Sequence, residues 1–516
     1  MDTKSIIIDV SDLPSPHNTN IALDDMYNDE SVDAVYQAKS RVLNKAIQDI
    51  GMGKYQKQLF ICAGFGWFAD SVWPLATALI LTQAIAEFNF NGPYLTLAAN
   101  VGLLVGPAIW SIGCDTWGRK WPFNLTLLIA GVFGTAAGGS PNFVALACLL
   151  AVVGVGVGGN LPVDSAVFLD LVPGTHQYLL TLINVWWSVG SLLGSLLAWP
   201  LIANYSCPED ALACDRADNM GWRYFLFALG GLTLLFWILR FFYFDLLESP
   251  RFLISMGRDA EAVSIIHKIA KYNGTTTTLT VEHLTEAAEK VVDLGIPVVP
   301  RTATFGLQHV KGLFGTTKMA ISTTLLVALW GKWSVLRVDE DPLFIAIIGL
   351  AYNLYNCFLP YLLTTRGVDF GDGSLYITYR NQFILSVIGI GGALVAGWTV
   401  EVSHIGRLTG IFLLASTTSR SSNALLAWNC GYNFSINMMW GVMYAISAEI
   451  FPAQHRGTGN GLVNVATATF GVLAPVIALY ANLSTSVPVY ISGTLFVFSG
   501  FLALFIPYEP KGKASI

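Results

Sequence analysis

Long apolar runs alternate with short polar punctuation along most of this chain. A helix that crosses a bilayer needs about 20 predominantly apolar residues. Runs of that kind fall at 59–86, 94–113, 121–139, 143–169, 178–203 and 223–247. A polar stretch at 248–318 follows, and then further runs at 345–363, 383–400, 408–418, 424–448, 460–482 and 487–507. The pattern predicts an all-α polytopic membrane protein of twelve spans, arranged as two six-helix bundles over 59–247 and 319–507.

Two places break the rhythm. The stretch "GKWSVLRVDEDPLF" (331–344) interrupts an apolar run with Lys332, Arg337, Asp339, Glu340 and Asp341. A charge at mid-bilayer costs at least ~2.5–3.5 kcal/mol on insertion scales. The seventh span is therefore expected to start near Ile345, leaving 319–330 on the cytoplasmic side. The ninth run, 408–418, would reach only ~16 Å at 1.5 Å per residue, against an apolar core of about 30 Å.

The polar segments carry patterns of their own. "GRDAEAVSIIHKIAKYNG" (257–274) puts Ala262, Ile265, Ile266 and Ile269 on one helical face. It predicts a short amphipathic helix under the bundle, with a solvated linker helix as the alternative. "TVEHLTEAAEKVVDLG" predicts a second. Residues 1–58 are polar, with Asp24, Asp25, Asp29, Glu30 and Asp33, and hold no apolar core followed by a small-residue cleavage site. They are expected to form a cytoplasmic tail, as is 508–516.

Composition sharpens the choice of solvent. The chain is 54% hydrophobic and 12% charged, where a soluble domain carries roughly 25% charged residues; lipid is the solvent that fits. A formal net charge of −6 and the lack of a basic arm exclude nucleic acid as an expected partner. The seven cysteines include no CxxC spacing, so neither a metal centre nor a cofactor is expected. Cys207 and Cys214 share one polar loop and can pair if that loop is extracytoplasmic.

Basic residues orient the chain, because they concentrate in cytoplasmic loops. With a cytoplasmic N-terminus, Arg119, Lys120, Arg251, Arg258, Lys268, Lys271, Arg407, Arg456, Lys511 and Lys513 fall inside. Outside loops hold fewer basic residues, among them Arg216, Arg366 and Arg420. The glycosylation sequons at Asn204 and Asn482 then land outside, together with the cysteine pair. A multi-pass protein of the plasma membrane with both termini in the cytoplasm is expected.

The two halves share a phrase. "FLDLVPGTHQYLLTLIN" (168–184) and "SAEIFPAQHRGTGNGLV" (447–463) align Asp170, Pro173 and His176 with Glu449, Pro452 and His455. Each reads as the cytoplasmic end of a span, a turn at proline and the start of the next span.

On these residues the chain resembles the major facilitator superfamily, and within it the sugar-porter and synaptic-vesicle-glycoprotein-like branches. "GCDTWGRK" matches the D-x-x-G-R-[KR] signature at Asp115, Gly118, Arg119 and Lys120. "ESPRFL" matches the PESPR signature at Glu248, Ser249, Pro250 and Arg251, and "YEPKGK" resembles the PETKG ending at Glu509, Lys511 and Gly512. Two places depart from the family pattern: Gly406–Arg407 lacks a second basic residue, and "AYNLYNCFLPY" stands where sugar porters have paired glutamines.

The resemblance implies two pseudo-symmetric six-helix bundles that rock about a substrate site near the bilayer midplane. It implies cytoplasmic charge motifs that hold the halves together when the site faces outward. Asp115, Gly118, Arg119, Lys120, Asp170, Glu248, Arg251, Arg407, Glu449 and Arg456 are the residues of that gate. Arg251 and Arg456 are candidate partners for Asp170 and Glu449, and Asp115 is placed to cap the next helix start. Static surface charges worth ~0–1 kcal/mol each are the alternative.

Two acids lie inside predicted spans, where ionisable residues are expensive and mark function. Asp70 sits near the middle of the first, and Asp164 follows Pro162 in the fourth. Asp70 is a candidate proton-coupling residue, with a structural hydrogen bond as the alternative; for Asp164, coupling and a structural pair stand equal. Polar and aromatic groups at mid-span are candidate substrate-pocket residues: Trp186, Asn353, Tyr355, Asn356, Asn429, Tyr432, Asn433, Trp440 and Asn464. Interhelical hydrogen bonds are the alternative for many of them.

"GVGVGG" (154–159) matches a dinucleotide-binding pattern, but that reading requires a strand before it. Inside an apolar helix it reads as close helix packing, as do the pairs Gly102–Gly106, Gly134–Gly138 and Gly190–Gly194. No ATP-binding G-x-x-x-x-G-K-[ST], H-E-x-x-H or G-x-S-x-G occurs, so neither an ATP-driven pump nor an enzyme is expected. The leading expectation is secondary transport of a small organic solute by alternating access, coupled to protons. Export of a toxin or secondary metabolite, and a non-transporting sensor or scaffold of the same fold, are the alternatives. The oligomeric state is open.

Overall fold

The computed structural model describes residues 34–176, 178–207, 214–293, 323–324, 348–359, 374–396, 409, 411–450, 456–480 and 487–502. All of its regular elements are helices. Residues 331–344, Arg407 and Asn482 lie outside the described residues, as do the side chains of Asp115, Glu449 and Arg456.

The N-terminal half contains α2 (Lys54–Phe88), α3 (Pro93–Thr116), α4 (Lys120–Gly138), α5 (Phe143–Val157), α6 (Asn160–Leu171), α7 (Leu179–Asn204) and α8 (Gly221–Ile238). Helices α5 and α6 are one span broken at Gly158 and Gly159. Helix α8 continues as a π turn over Leu239–Tyr243, so the sixth span ends at Tyr243 and not at 247 as the apolar run suggested. The C-terminal half supplies α12 (Ile348–Asn356), α13 (Leu375–Ala396), α14 (Ser422–Ile450), α15 (Arg456–Tyr480) and α16 (Val487–Leu502), with a short helical stretch at 411–416. Helix α13 starts eight residues before the predicted 383, because Tyr376, Tyr379, Arg380, Asn381 and Gln382 are helical despite their polarity. Among the described residues, seven helices are long and apolar enough to cross a membrane.

Each half has its own apolar core. In the first it gathers around Trp67, Phe68, Phe123, Phe168 and Trp222; in the second around Tyr355, Tyr432, Met439 and Phe496. Glycines set how closely the helices approach. A Cβ at Gly102 would strike the Ala151 carbonyl, and one at Gly154 would strike Ala99. The glycine run at 154–159 is thus a packing seam between α3, α4 and α5, as small residues are in membrane bundles.

The end of the first half where α2 stops and α8 starts is closed by a buried ion pair. Arg223 donates to Glu87 at 2.6 Å and to the Ser140 carbonyl at 2.6 Å. Its guanidinium lies 4.2 Å from the Trp222 ring centroid, a geometry that adds cation–π attraction. In the loop between α7 and α8, Cys207 and Cys214 form a disulfide.

The opposite end carries a helical cap. Helices α9 (Pro250–Ser255), α10 (Asp259–Asn273) and α11 (Val281–Asp293) follow the sixth span. Ala262, Ile265, Ile266 and Ile269 of α10 are all buried, so this helix is docked and is no solvated linker. An additional helix, α1 (Ala34–Ile50), packs on α9, α10 and α11. It lies within what the composition suggested was only a polar tail. Its buried Tyr36, Leu43, Ile47 and Ile50 recur at near-heptad spacing, which puts them on one face. Lys39 pairs with Asp259 of α10, and Gln48 donates to Thr175 in the turn after α6 at 3.0 Å.

Candidate functional site

The interior of the first half holds two acids with different partners. Asp70 lies near the middle of α2 and is 4% exposed. Its Oδ1 accepts from Asn160 Nδ2 at 3.1 Å, and its Oδ2 from the Leu161 backbone N–H at 3.0 Å. The break at Gly158–Gly159 makes this possible. It exposes the first amides of α6, which have no partner within their own helix, and a carboxylate there is also favoured by the helix dipole.

Asp164, one turn further along α6, is ion-paired with Arg240 from the π turn, and neither side chain is exposed. The Arg240 guanidinium lies over the Phe123 ring, 3.1 Å from its centroid. Gly66 is the space Asp164 occupies, since a Cβ there would collide with its carboxylate. Asn160 and Arg240 are the partners that sequence reading missed. Arg240 carried a legible signal, a cation inside "FWILRFFYF". Asn160 carried none, because its role depends on the geometry of the break.

The signature motifs converge on Asp170, the penultimate residue of α6. Arg119 and Ser249 both donate to its Oδ2, and Arg251 Nη1 lies 3.7 Å from Oδ1. Arg119 also donates to the Ala166 carbonyl at 3.0 Å. The "ESPR" residues divide the work. Glu248 accepts the backbone N–H groups of Arg119 at 2.8 Å and Lys120 at 3.4 Å, at the start of α4. Ser249 caps α9 by accepting from Phe252 N at 3.2 Å, and Pro250 stands at the first turn, where its missing N–H costs nothing. Arg251 donates to Asn44 Oδ1 of α1 at 2.6 Å; its burial pushes its guanidinium below the usual value. Gly118 has φ +89, and a Cβ there would meet the Glu248 carboxylate, so the signature glycine is required twice. Lys120 pairs with Asp245 at 2.8 Å on the surface. Among the described residues, every one of these pairs closes within the first half and its cap.

The halves meet through polar groups along two seams. Helix α3 follows α15, with Asn100 donating to the Gly471 carbonyl at 2.8 Å. Helix α7 follows α13 and α14. Asn184 donates to the Asn437 carbonyl at 2.9 Å, and Ser188 to Asn437 Oδ1 at 2.9 Å. Ser195 and Ser386 share a hydrogen bond of 3.0 Å, and Tyr379 donates to the Leu79 carbonyl at 2.7 Å.

The pocket candidates sort by exposure. Tyr355, Asn429 and Tyr432 are buried inside the second half. Tyr355 donates to Asn429, and Asn356 donates to Tyr432 at 2.6 Å. Tyr355, Asn429 and Tyr432 present no surface to a solute in this conformation. Trp186, Asn353, Asn356, Asn433 and Asn464 are half-buried. Trp186 packs edge-on to Phe65, and Asn353 lies beside Gly471. Trp440 stacks on Trp187 across the halves, with ring centroids 6.2 Å apart. Asn204, at the last turn of α7, is exposed and donates to the Pro200 carbonyl at 2.9 Å.

A family model described as Major Facilitator Superfamily matches residues 59–419. The chain belongs to the major facilitator superfamily. It is an integral, multi-pass membrane transporter and not an enzyme. It is 59% identical, over 95% of its length and 94% of the relative's, to MFS siderochrome iron transporter 1 of Ceriporiopsis subvermispora. It is 38% identical, over 96% of its length and 91% of the relative's, to the major facilitator-type transporter hxnZ of Emericella nidulans. The proton:xylose symporter XylE, solved with 6-bromo-6-deoxy-D-glucose, shares the fold with a TM-score of 0.64 at 18% identity, over 89% of this chain and 98% of that one.

Proposed function

We propose that this superfamily member is a proton-coupled secondary transporter that carries a small organic solute by alternating access. In this reading two six-helix halves rock against each other in the plasma membrane, with both termini in the cytoplasm. Asp70 carries the proton. One observation supports this above others: among the described residues Asp70 is held only by an amide side chain and a backbone N–H, while Arg240 is committed to Asp164. A buried carboxylate bonded to neutral donors can take a proton without breaking an ion pair. Asp164 is then structural. The charge cluster at Asp170 stiffens the inner end of the first half, and the second copy of the motif, with Glu449, Arg456 and Arg407, serves the other half.

The half-buried amides and rings at the interface suit a neutral or planar solute. A siderochrome cargo, the one named for the 59% identical relative, fits this lining if the iron travels inside its own chelator, with the protein contacting the organic shell. Purified protein screened for thermal stabilisation by ferric siderochromes, sugars and aromatic acids identifies the cargo class. Reconstituted vesicles given an inward acid gradient then test coupling. Asp70→Asn is expected to abolish gradient-driven accumulation while leaving cargo binding in place. Full accumulation by that variant overturns the reading.

A further inference from the structure

Asn160 has a second polar atom that nothing in the site uses. Its side chain is fully buried, its Nδ2 donates to Asp70, and among the described residues its Oδ1 has no hydrogen-bond partner. A buried acceptor left unmade is costly, so an unused one beside a titratable group calls for a reason. The charged groups facing Asp70 from neighbouring elements are Asp164 on α6 and Arg240 on the π turn after α8, and these two are paired with each other.

We propose that Asn160 is a positioning residue that exchanges partners with the protonation state of Asp70; this rests on the proton-coupling reading above. When Asp70 is ionised, Asn160 presents Nδ2 and donates to Oδ1. When Asp70 takes a proton there, that oxygen becomes a donor, and the two groups would face each other donor to donor. A half-turn of the Asn160 amide about its Cβ–Cγ bond presents Oδ1 instead, which accepts the new O–H. The Leu161 N–H stays on Oδ2 in both states. An amide has both a donor and an acceptor on one rotor, so asparagine can satisfy both states where a leucine satisfies neither. The break at Gly158–Gly159 lies directly before Asn160 and sets it at the start of α6, beside the Leu161 N–H that also holds Asp70.

The test reads the proton and needs no cargo. The full chain is reconstituted in phosphatidylcholine vesicles and titrated from acid to alkaline pH by infrared difference spectroscopy. The protonated carboxyl band that disappears in Asp70→Asn is assigned to Asp70. In Asn160→Leu the band is expected at a shifted frequency, because the protonated carboxyl loses its acceptor, and its titration curve is expected to move toward higher pH by about one unit, the excess of a lost hydrogen bond to a charge over a lost neutral one. Asn160→Ser, which keeps a donor and an acceptor on one group, is expected to recover part of the shift and guards against misfolding. If the band titrates but Asn160→Leu changes neither its frequency nor its midpoint, the inference is overturned and the coupling reading stands. If no Asp70 band titrates at all, the coupling reading falls and the inference with it.

Discussion

Asp164 and Arg240 form an ion pair inside the first bundle with neither side chain exposed to solvent or lipid. Removing one partner of such a pair leaves an uncompensated buried charge, at a cost of about 3–5 kcal/mol, whereas removing both is often nearly neutral. Arg240→Leu and Asp164→Leu alone are therefore expected to lower the melting temperature in detergent sharply. The double variant is expected to recover most of the loss. If the double variant is as unstable as the sum of the singles, the pair does not act as a unit.

The hub at Asp170 leads to a different expectation, because it joins α6, the start of α4 and α9. Asp170→Asn keeps the shape but removes the charge that Arg119, Arg251 and Ser249 share. That end of the first half should loosen, and cargo uptake by vesicles should fall several-fold, with a smaller change in cargo affinity. The corresponding Glu449→Gln change probes the second copy, whose neighbouring Arg456 has no counterpart in the first. A larger loss from Glu449→Gln makes the C-terminal copy the stronger half of the gate; a smaller one reverses that order.

These expectations show what one sequence carries. The six spans of the first half and the one over Gly461–Tyr480 were legible because an apolar run of membrane length has few other uses, and the α10 face was legible from its period. The extra helix α1 was not, since its contact residues Tyr36, Leu43, Ile47 and Ile50 are spread among charges and read as tail. The start of α13 was hidden because Tyr379 and Gln382 are polar yet buried; Tyr379 bonds the Leu79 carbonyl in the other half. Asp70 stood out as an acid in lipid, but its partner Asn160 lies 90 residues away at a helix break. Such a contact depends on where two spans cross, which no local pattern encodes.

Docking of α1 is held by apolar contacts with a polar frame. Leu43 is fully buried, and truncating a buried leucine to alanine costs about 2–5 kcal/mol. Leu43→Ala is expected to release α1, seen as faster amide hydrogen exchange over 34–50 and early proteolytic cleavage there, with the transmembrane helices unaffected. Lys39→Glu should give a weaker effect of the same kind, rescued by Asp259→Lys. Unchanged exchange in Leu43→Ala would mean that the helix is held by something other than this face.

The Cys207–Cys214 disulfide tests the orientation on which the gate depends. Disulfides persist outside the reducing cytosol, and the loop between α7 and α8 lies at the opposite end of these helices from the Asp170 hub. Three of the five free cysteines, Cys62, Cys114 and Cys357, are buried. A membrane-impermeant maleimide applied to intact cells should therefore label the chain weakly before reduction. After a mild impermeant reductant, two more thiols should react, and both should vanish in the Cys207→Ser, Cys214→Ser variant. A glycan on Asn204 would report the same side. If the two thiols react only after the membrane is opened, the loop is cytoplasmic and the Asp170 hub faces outward. The charge motifs could then not form an inner gate, and the assignment of both termini to the cytoplasm would have to be reversed.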